Sequence, residues 1–178
     1  DIHERPVYPS ADERDLVLVG FAAFLDPALE GVAETLGALR ADGIEVKIIT
    51  GDNDLVTRKI CQQVGLEPGE IVLGDAVERM SDPALGVVAE RTRVFARVSP
   101  MQKNRIVRAL HARGHVIGCV GDGINDAPAL RSADVGISVE NAVDGAPDAA
   151  DIILLEERLA ALPDGVGEGR RGFGNIVK

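Results

Sequence analysis

Short apolar runs alternate along this chain with longer stretches whose apolar positions recur at helical spacing. The run Leu16-Val17-Leu18-Val19-Gly20-Phe21 predicts a strand, stopped by Asp26-Pro27. Val32, Leu36 and Leu39 mark a helix over 28–41, ended by Asp42-Gly43. Further strands are expected at 45–50, 71–73, 94–98, 116–120, 135–139 and 152–155. Helices are expected at 54–64, 82–91 and 100–112, with Gly65 and Gly114 closing the first and last of these. A short helix begins near Asn125, and a small helical stretch is expected at 142–149. Strands alternating with helices in this way predict an α/β fold: a Rossmann-like parallel sheet with helices on both faces. Ligands of such sheets sit at the C-terminal ends of the strands, so the loops after Thr50, Val98 and Val120 are the ones to inspect.

Composition narrows the picture. The chain has 178 residues, 46% of them hydrophobic, which suits one domain with a sizeable core and excludes general disorder. Its 29 acidic and 19 basic residues give a net charge of −10, aromatics are 3%, and Trp is absent. A basic, stacking surface is therefore missing, and no nucleic-acid partner is expected. The longest charge-free apolar run, Leu16 to Leu25, falls short of the roughly 20 residues that span a bilayer. No signal peptide is visible, and a start at Asp1 is what a trimmed or excised segment would give. Cys61 and Cys119 lie in apolar segments and are expected to be reduced, buried thiols.

Three segments are expected along the chain. Residues 1–14, polar and irregular with Pro6 and Pro9, form a linker or the edge of a neighbouring domain. Residues 15–164 form the α/β body, and 165–178 a Gly-rich, basic tail whose stretch 165–169 is expected to be a flexible connector.

The loop after Val120 reads Gly121-Asp122-Gly123-Ile124-Asn125-Asp126-Ala127-Pro128. Asp122 and Asp126 lie four apart across a strand-to-helix turn, so their carboxylates can converge as hard oxygen ligands of the kind Mg²⁺ takes. Asn125 can hydrogen-bond a phosphoryl oxygen or orient a carboxylate. After the strand ending at Thr50, Thr50-Gly51-Asp52 offers a hydroxyl and a backbone N–H as a small phosphate cradle, though Thr-Gly-Asp is equally a good turn and helix cap. Ser99 and Pro100 open a helix that carries Lys103 in its first turn, where an ammonium can reach an anion at the strand ends or simply face solvent. Together the loops supply a metal ligand, donors for phosphoryl oxygens and a cation, which is the kit of phosphoryl transfer. His111 and His115 are spaced as a metal pair would be, but Gly114 interrupts the helix between them. Arg170 and Arg171 could face anionic headgroups.

At these three loops the sequence resembles the P-type ATPases, cation pumps of the haloacid dehalogenase superfamily. Residues 121–130 resemble their hinge signature, and Thr50-Gly51-Asp52 and Lys103 fall at two further phosphorylation-domain motifs. Phe24-Leu25-Asp26-Pro27, Val94-Phe95-Ala96-Arg97 and Glu168-Gly169-Arg170-Arg171 look most like the bacterial magnesium-importing branch. The resemblance implies that Asp122 is a ligand of a catalytic Mg²⁺, that Thr50 and Gly51 hold phosphoryl oxygens, and that Lys103 neutralises them. It further implies that Asn125 and Asp126 tie metal, lysine and phosphoryl group together, with Asp126 also near the metal, and that Asp52 braces its loop. The phosphorylated aspartate of such pumps sits in an Asp-Lys-Thr-Gly-Thr string that does not occur here. By resemblance, the chain is thus the later part of a phosphorylation domain lacking its nucleophile-bearing strand, and 165–178 is a stalk toward a membrane helix. ATP would be the substrate of the parent, and the partners would be its nucleotide-binding, actuator and membrane domains, at the cytoplasmic side of a bacterial inner membrane. Two alternatives remain at this point: a soluble Mg²⁺-dependent phosphatase of the same superfamily, or a non-catalytic module that self-associates through an open sheet edge.

Overall fold

The computed structural model describes residues 16–21, 30–139, 147–155 and 159–176. The expectations for 1–14, for Phe24 to Pro27 and for most of 142–149 lie outside the described residues.

The strands are β1 (Ile48–Ile49), β2 (Ile71–Leu73), β3 (Val94–Ala96), β4 (Gly118–Val120), β5 (Val135–Val139) and β6 (Ile152–Leu154). The α-helices are α1 (Val32–Ala41), α2 (Asp54–Gln63), α3 (Gly74–Arg79), α4 (Asp82–Arg91), α5 (Pro100–His111), α6 (Ala127–Ser132) and α7 (Ala161–Ile176), and short 3₁₀ turns occupy Ile124–Asp126 and Pro147–Ala149. All strand pairing is parallel, as the strand–helix alternation predicts.

The strands form two three-stranded sheets, ordered β1-β3-β2 and β4-β5-β6, instead of one continuous sheet. Within the described residues β1 and β4 are each paired on one side only, so no ladder joins the two halves. The expected strand at 16–21 is not formed either. Leu16, Val17, Val19 and Phe21 are exposed, and the segment has no ladder partner among the described residues. β-propensity alone does not make a strand; a neighbour must accept its N–H and C=O groups.

The first sheet is covered on both faces by the side-chain alternation of its strands. Ile49, Val72 and Phe95 face one cluster, with Val77, Leu85, Ala89, Ile106 and Leu110 from α3, α4 and α5. Their neighbours Ile48, Ile71 and Val94 face the other, with Val32, Leu36, Cys61 and Val64 from α1, α2 and the α2 cap. Phe95 is fully buried at the centre of the middle strand, and truncating such a residue typically costs about 3–5 kcal/mol. In the second sheet Cys119 packs with Ala127, Leu130 and Ala149 on the α6 side.

Helix ends follow local chemistry. Asn53 caps α2 by accepting from Val56 N–H at 2.9 Å. Ser99 caps α5, and Gln102 reaches back to Ser99 N–H at 3.0 Å, a reciprocal box. Gly65 and Gly114, at φ 68° and 86°, take the left-handed conformation expected just past a helix.

Two further elements depart from expectation. α3 is too short for periodicity to reveal, and it starts on Gly74, a poor helix former. The glycine is required by packing, since a Cβ there would lie 2.2 Å from the Arg97 carbonyl oxygen. The tail is not a flexible connector: α7 runs straight through Gly165, Gly167 and Gly169. Tertiary contact offsets the glycine cost, because α7 packs on α1 and Arg170 donates to the Asp42 carbonyl at 2.8 Å.

Candidate functional site

β1 ends at the Thr50 loop, which is held by its neighbours. Thr50 N–H donates to Phe95 C=O at 3.0 Å, Arg97 N–H to Asp52 C=O at 2.8 Å, and Val98 N–H to Thr50 C=O at 3.1 Å. Inside the loop the Thr50 hydroxyl donates to Asp52 Oδ2 and accepts from Asp52 N–H, both at 3.1 Å. Gly51 is exposed at the tip. The true cap of the following helix is Asn53, which leaves Thr50, Gly51 and Asp52 free of the capping role considered for them.

Arg97 was not singled out by its sequence as a site residue. It has φ 54°, unusual for a residue with a side chain, in the loop after β3. Its Nε donates to Asp54 Oδ1 at 3.3 Å, placing a cation beside the Thr50 loop. The sequence pattern puts Arg97 inside the expected strand 94–98, and the dihedral itself has no signature in the residue type.

β4 ends at Val120 and opens the second loop. Its central feature is an ion pair. Lys103 Nζ donates to Asp126 Oδ1 at 2.7 Å, with both side chains mostly shielded, at 18% and 16% exposure. Asp126 Oδ2 accepts from Gly123 N–H at 3.3 Å. A Cβ on Gly121 would sit 2.5 Å from Asp126 Cβ, so the first glycine makes room for the carboxylate. Asp122 and Asn125 are exposed. Asn104, next to Lys103, donates through Nδ2 to the Pro128 carbonyl at 2.9 Å. The structure thus brings Lys103 and Asp126 into direct contact and sets Asp122 and Asn125 on the same short loop.

The donor set suits a hard divalent cation in part. Asp122 offers an open carboxylate, and Asp126 keeps lone pairs beyond those used by Lys103 and Gly123. Among the described residues no three His, Cys, Asp or Glu side chains converge. Mg²⁺ is commonly held by one or two carboxylates with waters and phosphate oxygens, so these residues supply a share of such a shell.

Cys119 lies on β4 beside this pair. Burial, and then the Asp126 carboxylate, push its thiol up to about 11, with Lys103 opposing. Both cysteines are free thiols. The two histidines are drawn to different carboxylates, His111 to Asp134 at 3.2 Å and His115 to Glu90 at 3.0 Å, so they do not form a metal pair. Arg170 and Arg171 are likewise engaged by carboxylates, Asp42 and Glu168.

The family model for haloacid dehalogenase-like hydrolases matches residues 5–134. A magnesium-transporting ATPase, P-type 1, of Escherichia coli strain K12 is 58% identical over 96% of this chain. Its counterpart in Salmonella typhimurium strain LT2 is 57% identical over the same share. The chain spans 19% of the length of these relatives. Among solved structures, a zinc-transporting PIB-type ATPase in an E2.Pi state is similar at a TM-score of 0.67 and 28% identity, over 85% of this chain and 21% of that one. No helix among the described residues is long and apolar enough to cross a membrane. With a family model covering well over half of its length, the chain belongs to the haloacid dehalogenase-like hydrolases.

Proposed function

We propose that this chain is the later part of the phosphorylation domain of an ATP-driven cation pump, with Mg²⁺ as the transported ion. The observation that carries the reading is the Lys103–Asp126 pair, anchored beside Asp122 on the loop that closes β4. The 58% identity to a magnesium-transporting ATPase supports the pump class and the ion.

In this reading Asp122 and Asp126 would hold a catalytic Mg²⁺, distinct from the transported ion. When bound, the metal neutralises charge on the phosphoryl oxygens. Lys103 adds a fixed cation on the same oxygens, and its bond to Asp126 holds the flexible ammonium in place. Gly51 N–H donates to a phosphoryl oxygen, and the Thr50 hydroxyl joins it by turning its one hydrogen from Asp52 Oδ2 to the phosphoryl group, while Asp52 N–H goes on bracing the loop at the Thr50 oxygen. Asn125 hydrogen-bonds between the metal loop and the phosphoryl group. Preorganised donors of this kind act mostly by positioning and charge stabilisation, which is what phosphoryl transfer requires.

The attacking carboxylate is supplied from outside these residues, since the chain contains no Asp-Lys-Thr-Gly-Thr string. The edges of β1 and β4 left unpaired among the described residues support a strand contributed by another part of the parent. Partners are accordingly the nucleotide-binding, actuator and membrane domains, with this part on the cytoplasmic side of a bacterial inner membrane. Separated from them, the chain self-associates through its open edges.

The purified chain should therefore hydrolyse no ATP above background. Mg²⁺-dependent turnover by the isolated chain, abolished in Asp122→Ala, would refute the reading.

A further inference from the structure

We propose that Asn104 is a positioning residue that fixes the loop 121–126 against Lys103; this rests on reading that loop as a Mg²⁺ and phosphoryl site. Asn104 stands inside α5, where asparagine is a weak helix former, and it is half-buried. Its amide is used at both ends. Nδ2 donates to the Pro128 carbonyl at 2.9 Å, and Oδ1 accepts from the Ser132 hydroxyl at 3.4 Å.

Consecutive helical residues project about 100° apart, so Lys103 and Asn104 cannot point the same way. Both find partners because the segment from Asp126 to Ser132 runs across α5. Apolar packing of Ala127 and Leu130 seats this segment on the second sheet, and the Lys103–Asp126 bond ties its start to α5. The Asn104–Pro128 bond, two residues further along, adds a second directional tie to α5 and sets the register of the segment against Lys103. Asp122, exposed on the same loop, is then held at a set position relative to the ammonium.

The test is single-turnover phosphorylation of the full-length pump carrying this segment, with labelled ATP and rates expressed per phosphorylatable site. Asn104→Asp keeps shape and the Ser132 bond but cannot donate to Pro128, and Asn104→Ala removes both bonds. Both should slow phosphorylation about fivefold, the equivalent of one hydrogen bond, with the half-saturating ATP concentration unchanged. Ser132→Ala, which spares the Pro128 bond, should keep the parent rate. Rates per site are unaffected by loss of folded protein, and two variants guard against one that folds poorly. Parent rates in both Asn104 variants, or equal slowing in Ser132→Ala, would overturn the proposal while leaving the loop reading intact. Asp122→Asn serves as the reference, and its phosphorylation at the parent rate would overturn the loop reading and this proposal with it.

Discussion

Gly121→Ala tests the site's geometry without replacing a charged residue. The added Cβ would lie 2.5 Å from Asp126 Cβ, 3.0 Å from its Cγ and 3.2 Å from its Oδ2. Carbon atoms pack best about 3.5–4.0 Å apart, so one side must yield by about 1 Å. Asp126 resists, being tethered to Lys103 at 2.7 Å and to Gly123 N–H at 3.3 Å. Overpacking of this kind costs about 1–3 kcal/mol, and a strained or broken charged hydrogen bond adds to it. A total near 3 kcal/mol corresponds to a fall in Tm of about 6–12 °C for a domain of this size. Differential scanning calorimetry on the chain measures it. The partner variants sharpen the result. Asp126→Ala keeps the offending Cβ and should not relieve the clash, whereas Asp126→Gly removes it and should make Gly121→Ala nearly neutral in that background. A Gly121→Ala variant melting within about 1 °C of the parent would refute the argument that the glycine exists to admit Asp126.

Two further predictions concern stability away from the site. Glu90 accepts from Arg113 and His115, and these bonds lower its carboxyl from 4.5 to about 2. A depressed acid stabilises the fold above its ordinary range and loses that contribution as pH falls through its folded value. The Tm gap between the parent and Glu90→Gln should thus be full above pH 4.5 and close as pH falls toward about 2; a gap independent of pH would contradict the assignment. Ser138 on β5 is fully buried, and its hydroxyl has no hydrogen-bond partner among the described residues. Ser138→Ala should raise stability by about 1 kcal/mol, or about 2–4 °C in Tm, and a clear loss would show an unrecognised partner.

Much of this architecture is legible in the sequence because the signals are local. The bounds of β2, α4 and β5 follow from apolar runs and caps, and the loop after Val120 stands out because its glycines, acids and proline agree on one geometry. What the sequence hides is non-local. The segment 16–21 has every residue-level mark of a strand, yet it has no ladder partner among the described residues and is exposed. The division into two sheets likewise depends on which strands are present to pair. Five glycines in α7 argue against a helix until the contact of Arg170 with Asp42 is known. At the candidate site, Asp122 and Lys103 stand out in the sequence, but the left-handed backbone of Arg97 and the Asn104–Pro128 contact are not encoded in residue identity.

In the proposed function these residues carry the metal-binding and charge-neutralising loops of a phosphorylation site whose nucleophile lies elsewhere in the parent polypeptide. The most direct measurement is to phosphorylate the full-length pump with labelled ATP, quench in acid, cleave it, and locate the label, alongside Asp122→Asn. The account predicts label on an aspartate outside residues 1–178, and its loss in the variant. Label on a residue within this chain, or full labelling of Asp122→Asn, would contradict it.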